Sequence, residues 1–214
     1  MNACMLTEVS EQPESRVERK ERTRQALLEG TLALAADRGF GALSLREITR
    51  NAGIVPTAFY RHFSSLDELG TALVDAGIRQ LRLALRQLRR TPNAGLTDSI
   101  RVVFDQVDQR EQLFGFLVRE RFGGAPALRG AIAIELQLIT RELVADLSRI
   151  PALDDWSPED LELAADLLVS TVADDVAAYV DASLRDRPAM VERTGRQLRM
   201  IMLGMQSWRP SNRY

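Results

Sequence analysis

The stretch that most constrains this chain is residues 44–63, SLREITRNAGIVPTAFYRHF, which reads as two short helices joined at a glycine. Ser44 stands three residues before Glu47, the spacing of a capping box in which two side chains satisfy free backbone N–H groups reciprocally. Leu45, Ile48 and Ala52 then follow at the i, i+3, i+7 spacing of a buried stripe, which leaves Arg46, Thr49 and Arg50 on the outer side. Gly53 supplies the turn. Pro56 suits the first position of the next helix, where its missing N–H costs nothing, so a second helix is predicted from Pro56 to His62.

On that second helix Phe59 and Phe63 lie four apart and can anchor it, while Thr57, Ala58, Tyr60 and Arg61 project outward. Arginine reads guanine through paired hydrogen bonds, threonine offers a hydroxyl or methyl to base edges, and tyrosine and histidine can donate to phosphate oxygens. The pattern therefore points to a helix-turn-helix whose partner is double-stranded DNA. A plain corner between two helices, with aromatic residues that merely pack, is the competing reading.

The formal net charge of −2 becomes compatible with DNA once it is divided along the chain. Residues 16–64 carry nine Lys plus Arg against five acids, the first fifteen residues carry three acids, and residues 65–214 carry 19 basic against 22 acidic groups. Basic charge is thus concentrated around the motif. A solvated helix face would account equally for Arg16, Arg19, Lys20, Arg22 and Arg24.

The rest of the pattern is helical, predicting an all-α chain of some nine helices: a three-helix head and a helical-bundle body. The expected organisation is a disordered tail over 1–15, a DNA-binding head over 16–64 and a ligand-binding and dimerisation domain over 65–214. Arg22 to Gly39 reads as the bracing helix, with Leu27, Leu28, Thr31, Leu34 and Ala35 inward. Ser65 and Glu68 form a second predicted capping box. It opens a rod that reaches about Arg90, with Leu69, Leu73, Ala76, Leu83 and Leu88 on its apolar side. After a break at 91–98, helices are expected over 98–109, 112–121, 127–147, 157–181 and 187–207. The last two are apolar on more than one side. Leu161, Leu167, Val176, Leu198, Ile201 and Met205 are accordingly candidates for a homodimer interface about a two-fold axis, with packing inside one chain as the alternative. Two reading helices about 34–36 Å apart would match a palindromic operator.

Other functional classes find little support. The only cysteine, Cys4, and the only histidine, His62, are far apart, which disfavours nitrogen–sulfur metal sites and Cys–His catalysis. No Ser–His–Asp arrangement or phosphate-cradling glycine loop is evident, so neither an enzyme nor a cofactor is expected. Asp174 and Asp175 are adjacent, and consecutive helical residues point about 100° apart, which predicts solvent-facing or capping roles. The start of the chain is polar and acidic and no run of 18 apolar residues occurs, so a cytoplasmic protein without a membrane span is expected.

Over residues 22–75 the chain resembles the TetR family of one-component bacterial repressors, through Ser44, Ala52-Gly53, Phe59-Tyr60-Arg61-His62-Phe63 and Ser65 to Leu69. The resemblance implies phosphate contacts by Tyr60 and His62, base contacts by Thr57 and its neighbours, and an effector pocket in the body. The implied DNA-binding set is Arg22, Arg24, Ser44, Arg46, Thr57, Ala58, Phe59, Tyr60, Arg61 and His62. Leu66 departs from the pattern, standing where many members carry a phosphate-contacting lysine. The same head wording, with LFGFLVRERFGG at 113–124, is similar to the FabR and DesT subgroup, which controls unsaturated fatty acid synthesis in response to long-chain acyl thioesters. That narrower resemblance implies an acyl-CoA pocket drawing on Phe104, Phe116, Leu117, Leu168 and Val172. Arg119 and Arg121 would sit near the carrier's phosphates, or else form ordinary salt bridges. A TetR-type repressor sensing another apolar compound is the nearest alternative, and a helical adaptor or enzyme a more distant one.

Overall fold

The computed structural model describes residues 15–91 and 95–208; of the tail expected over 1–15 all but Ser15, and the centre of the 91–98 break, lie outside them. Helix α1 (Arg16–Arg38) starts at Arg16, earlier than the predicted Arg22. The reason is local: Ser15 accepts from the Glu18 backbone N–H, and the Glu18 carboxylate accepts from the Ser15 N–H, completing a capping box that the reading missed. Gly39 ends the helix at φ 76°, a conformation that favours glycine, and a 3-10 turn over Phe40–Ala42 follows.

Helix α2 (Leu45–Asn51) has the expected capping box, with the Glu47 N–H 3.3 Å from Ser44 Oγ and the Ser44 N–H 3.0 Å from Glu47 Oε2. Thr49 is not on its outer side; it is fully buried, and its hydroxyl donates to the Leu45 carbonyl at 2.9 Å. Helix α3 (Pro56–Phe59) is a single turn that stops short of His62. The N–H groups of Arg61 and His62 bond three residues back, to Ala58 and Phe59, so the helix tightens into turns.

Helix α4 (Leu66–Leu88) is the rod, about 35 Å long at 1.5 Å per residue. Its predicted capping box is half formed: Ser65 accepts from the Glu68 N–H at 3.0 Å, but the Glu68 carboxylate turns back to the N–H of Ser64. The buried face runs through Leu69, Leu73, Val74, Gly77 and Ile78, whereas Ala76 and Leu83 face outward. Helices α5 (Leu96–Gln109), α6 (Glu111–Gly123), α7 (Pro126–Leu147), α8 (Pro158–Val180) and α9 (Arg187–Ser207) complete the body. Among the described residues every regular element is helical, giving the expected all-α fold of nine α-helices. No helix among them is long and apolar enough to cross a membrane.

A continuous core joins head and body. Leu27, Ile48, Phe59 and Phe63 fill the head, and Phe40 carries the core onward by meeting the Phe116 ring edge-on at 6.2 Å. Gly70 lets α4 approach closely here, since a Cβ at that position would lie 2.8 Å from both Phe40 and Leu128.

A polar clasp ties the distal half of α4 to α7. Arg82, Arg86 and Arg89 all donate to Glu142, Arg82 also reaches Glu135 at 3.2 Å, and Arg89 reaches Asp146 at 2.6 Å. Burial opposes ionisation of Glu142, but the hydrogen bonds from Arg86, Arg82 and Arg89 outweigh it and hold the carboxyl down to about 2. A depressed carboxyl stabilises the fold above its unfolded-state value and loses that contribution as pH falls through the folded one. Thermal melts of the wild type and Glu142→Gln should therefore differ most at neutral pH, with the wild type higher. The gap should shrink below about pH 4.5 and vanish near pH 2.

Candidate nucleic-acid interface and body cavity

The turn and short helix at 53–63 present a compact exposed face. Thr57 and Arg61 are open to solvent, Ala58 is half-buried, and Tyr60 is 62% exposed with its ring edge-on to Phe59 at 5.5 Å. Arg46 on α2 and Arg22 on α1 are also exposed. Arg24 lies with its guanidinium 4.6 Å above the Phe63 ring, which fixes its position by a cation–π contact. Ser44 is exposed but already engaged as a helix cap. Phe59, expected among the DNA-facing residues, is 1% exposed: it is the floor on which the face is built and has no surface to offer a groove.

His62 is half-buried, and its Nδ1 is enclosed without a hydrogen-bond partner. Burial lowers its pKa, and the nearby positive charges of Lys20, Arg24 and Arg61 push in the same direction. At neutral pH it is therefore an uncharged imidazole with one N–H to donate.

In the body, α4, α5, α6, α7, α8 and α9 enclose a cavity of about 250 Å³. Of the residues expected to line a ligand pocket, Leu117, Arg121, Leu168 and Val172 do so. Phe104, Phe116 and Arg119 do not. Phe104 packs against Tyr179 with ring centres 4.6 Å apart, and Phe116 belongs to the head–body junction. Arg119 Nη1 donates to the carbonyls of Ala35 and Ala36 at 2.8 and 2.7 Å, capping the C-terminus of α1. Arg121 is the salt-bridged member of the pair, with its Nη1 3.0 Å from Asp174. Asp174 is exposed as expected, but Asp175 is buried and accepts the Thr194 hydroxyl at 2.6 Å.

The junction is the feature that sequence reasoning missed. Glu120, 2% exposed, accepts the Phe40 backbone N–H at 3.0 Å beside the Arg119 cap. Helix α6 thus has two working sides. Phe114, Leu117, Val118 and Arg121, at i, i+3, i+4, i+7, face the cavity, while Phe116, Arg119 and Glu120 hold the head. The i, i+3, i+4, i+7 spacing is present in LFGFLVRERFGG, but it does not say which face meets the cavity and which the head.

The candidate dimer residues also need correction. Leu161, Val176, Leu198 and Met205 are buried inside their own chain, so they are core, and Ile201 is half-buried. The apolar residues left exposed on α8 and α9 are Leu167, as expected, together with Leu163, Met200 and Leu203.

A small head with a helix-turn-helix, seated on an all-helical body that encloses a cavity, is the architecture of a DNA-binding transcriptional regulator. Residues 27–73 match the family model of bacterial regulatory proteins of the tetR family, and residues 92–203 match the tetracyclin repressor-like C-terminal domain. The chain belongs to the TetR family of transcriptional regulators, whose members bind operator DNA and small-molecule effectors. Solved structures share the fold. A putative TetR-family regulator from Syntrophomonas wolfei aligns with TM-score 0.74 at 15% identity, covering 91% of this chain and all of that one (100%). The fatty acid degradation regulator FadR from Bacillus halodurans gives TM-score 0.69 at 16% identity, over 87% and 96% of the two chains. A transcriptional regulator from Rhodococcus sp. Rha1 gives 0.65 at 22%, over 85% and 96%.

The junction makes a stability prediction. Phe116→Ala removes a buried ring and should cost about 3–5 kcal/mol in urea unfolding. Arg119→Ala, which strips a half-wet cap, should cost about 1 kcal/mol. Equal effects from the two would show that the aromatic contact does not hold the head.

Proposed function

We propose that this regulator is a repressor that binds a palindromic operator in double-stranded DNA as a homodimer, in the cytoplasm, and responds to an apolar effector held in the body cavity. In this reading residues 16–64 form the DNA-binding unit and 65–214 the sensing and dimerising unit. Thr57, Ala58 and Arg61 meet base edges, while Tyr60, His62, Arg22, Arg24, Ser44 and Arg46 meet the phosphate backbone. Leu163, Leu167, Met200 and Leu203 on α8 and α9 supply the apolar surface that a second copy covers.

The observation that carries the sensing half is the double duty of α6. Any ligand that displaces Leu117, Val118 or Arg121 also shifts the helix on which Arg119 and Glu120 hold α1 and Phe40. A ligand biases DNA affinity only by its differential affinity for the two arrangements.

The effector class favoured is a long-chain acyl compound, presented as an acyl-CoA or acyl-carrier thioester, in control of unsaturated fatty acid genes. The cavity's apolar wall, formed by residues such as Ile78, Leu136, Ile139 and Val172, suits such a chain, at about 0.8 kcal/mol per buried CH₂. The FadR likeness, although confined to the fold, points the same way. The cavity's 250 Å³ lies below the roughly 300–1,000 Å³ of most ligand pockets. A long chain must therefore part the helices, and that movement is the signal. The same modest size supports a second reading, a shorter apolar effector that fits without it.

DNA selected from a random or genomic pool, with and without acyl-CoA, should yield a palindrome whose recovery changes with the ligand. On that operator, Tyr60→Phe and His62→Ala should weaken binding to cognate and random DNA alike, whereas Thr57→Ala should change preference at one or two base pairs. Identical losses on all sequences from all three variants would remove the assignment of base and phosphate roles. Unaltered operator affinity with both saturated and unsaturated long-chain acyl-CoA would remove the fatty-acid reading.

A further inference from the structure

The cavity is apolar along its length but charged at the end where α4 and α7 are clasped together. Its wall includes three arginines, Arg82, Arg89 and Arg121, and two carboxylates, Glu142 and Asp146. Arg121 is turned toward Asp174 on α8, so the unbalanced charge sits at the clasp. There Arg82, Arg86, Arg89 and Arg149 face Glu135, Glu142 and Asp146, one cation in excess.

The hydrogen bonding is equally lopsided. Glu142 Oε1 accepts from Arg82 Nε at 3.0 Å, Arg82 Nη2 at 2.6 Å and Arg86 Nη2 at 2.5 Å. Its Oε2 accepts from Arg86 Nε at 3.3 Å and Arg89 Nη2 at 2.9 Å. Five N–H groups thus converge on one carboxylate, which offers about four lone-pair positions. The longest of them, from Arg86, is the least satisfied. Arg86 is also half exposed, so its guanidinium can turn to another acceptor without unburying anything.

We infer that the cavity's ligand is an anionic amphiphile, with an apolar chain in the cavity and negatively charged oxygens accepting from Arg86, Arg89 and Arg82 at the clasp. This rests on the proposal that the cavity is the effector site and adds to it the headgroup's charge and place. A monoanion cancels the excess cation and gives the surplus N–H groups a second set of acceptors. A cationic headgroup would meet guanidinium groups on every side, since both Glu142 oxygens and Asp146 are already engaged. A neutral one leaves the excess charge as it was. The carboxylate of a free fatty acid and the phosphates of a thioester carrier share this chemistry. Arg119, committed to the α1 carbonyls, does not take part.

Isothermal titration of the full chain with four probes on one medium-length chain tests this: decanoate, decanol, decyltrimethylammonium and decanoyl-CoA. Decanoate should bind about tenfold or more tightly than decanol, and the ammonium compound more weakly still. Arg86→Gln and Arg89→Gln should lower decanoate affinity about tenfold while decanol affinity moves little. Arg86 lies on the surface, so its replacement keeps the test usable if Arg89→Gln unfolds. Tight decanoyl-CoA binding that is lost in the same variants would assign the anion to the carrier's phosphates, and weak binding to the free carboxylate. Equal affinity for decanoate and decanol, or arginine variants that leave decanoate unaffected, would overturn the headgroup assignment. If Val172→Phe nevertheless abolished decanol binding, the cavity would stand as the ligand site. Binding of none of the probes would overturn both.

Discussion

The contact on which the rest of this molecule depends is the seat of the head on α6. A unit of about fifty residues buries little apolar surface and is marginal by itself. Here it is completed by the body: Phe40 leaves the head core to pack on Phe116, Arg119 reaches the Ala36 carbonyl at the end of α1 and adds a second donor to that of Ala35, which Gly39 already caps, and the Phe40 N–H finds Glu120. Without the body the Ala36 carbonyl would be left at an open helix end and the buried Phe40 N–H would lack its acceptor. These contacts tie the position of the head, and with it of Thr57 and Tyr60, to that of α6.

Helix α4 forms the second tie, and the two ties differ in kind. At its head end the rod is held by close apolar packing, with Gly70 admitting Phe40 and Leu128. At its far end it is held by the arginine–carboxylate clasp to α7, beside a cavity lined by Ile78, Leu81, Arg82, Leu85 and Arg89. Packed contacts shift by discrete steps, whereas partly exposed ion pairs exchange partners at small net cost. A structure built this way yields first at the clasp and the cavity and last at the head, which suits a body that must move while its reading surface stays intact.

Local signals in the sequence were legible wherever the physics was local. Ser44 with Glu47 and Ser65 with Glu68 mark helix starts that the structure contains, because a cap is satisfied within one turn. Ser15 with Glu18 obeys the same rule, at the border of an acidic segment whose composition otherwise signals no helix. The long-range partnerships were not legible. Arg119 and Arg121 are two residues apart on one helix, and nothing in their spacing says that one caps α1, more than eighty residues away, while the other pairs with α8. Likewise Leu161, Val176, Leu198 and Met205 are apolar enough for either a core or an interface. Only the packing of α8 against α9 shows that they are spent within the chain, leaving Leu163, Leu167, Met200 and Leu203 outside.

The Arg119–Glu120 pair also explains how one short helix joins the cavity wall to the head. Residues on one face of a helix are coupled rigidly to those on the opposite face across a backbone that cannot compress, so α6 needs no intermediate element between cavity and head. A displacement of Leu117 into or out of the cavity must be matched at Phe116, one residue earlier, unless the helix rotates about its own axis. Rotation would draw the exposed Arg119 guanidinium off the Ala35 and Ala36 carbonyls and the Glu120 carboxylate off the Phe40 N–H, leaving that buried N–H and carboxylate unpaired. Translation keeps those bonds and carries α1 with it. The polar seat therefore favours translation of α6 and α1 together over rotation of α6 alone.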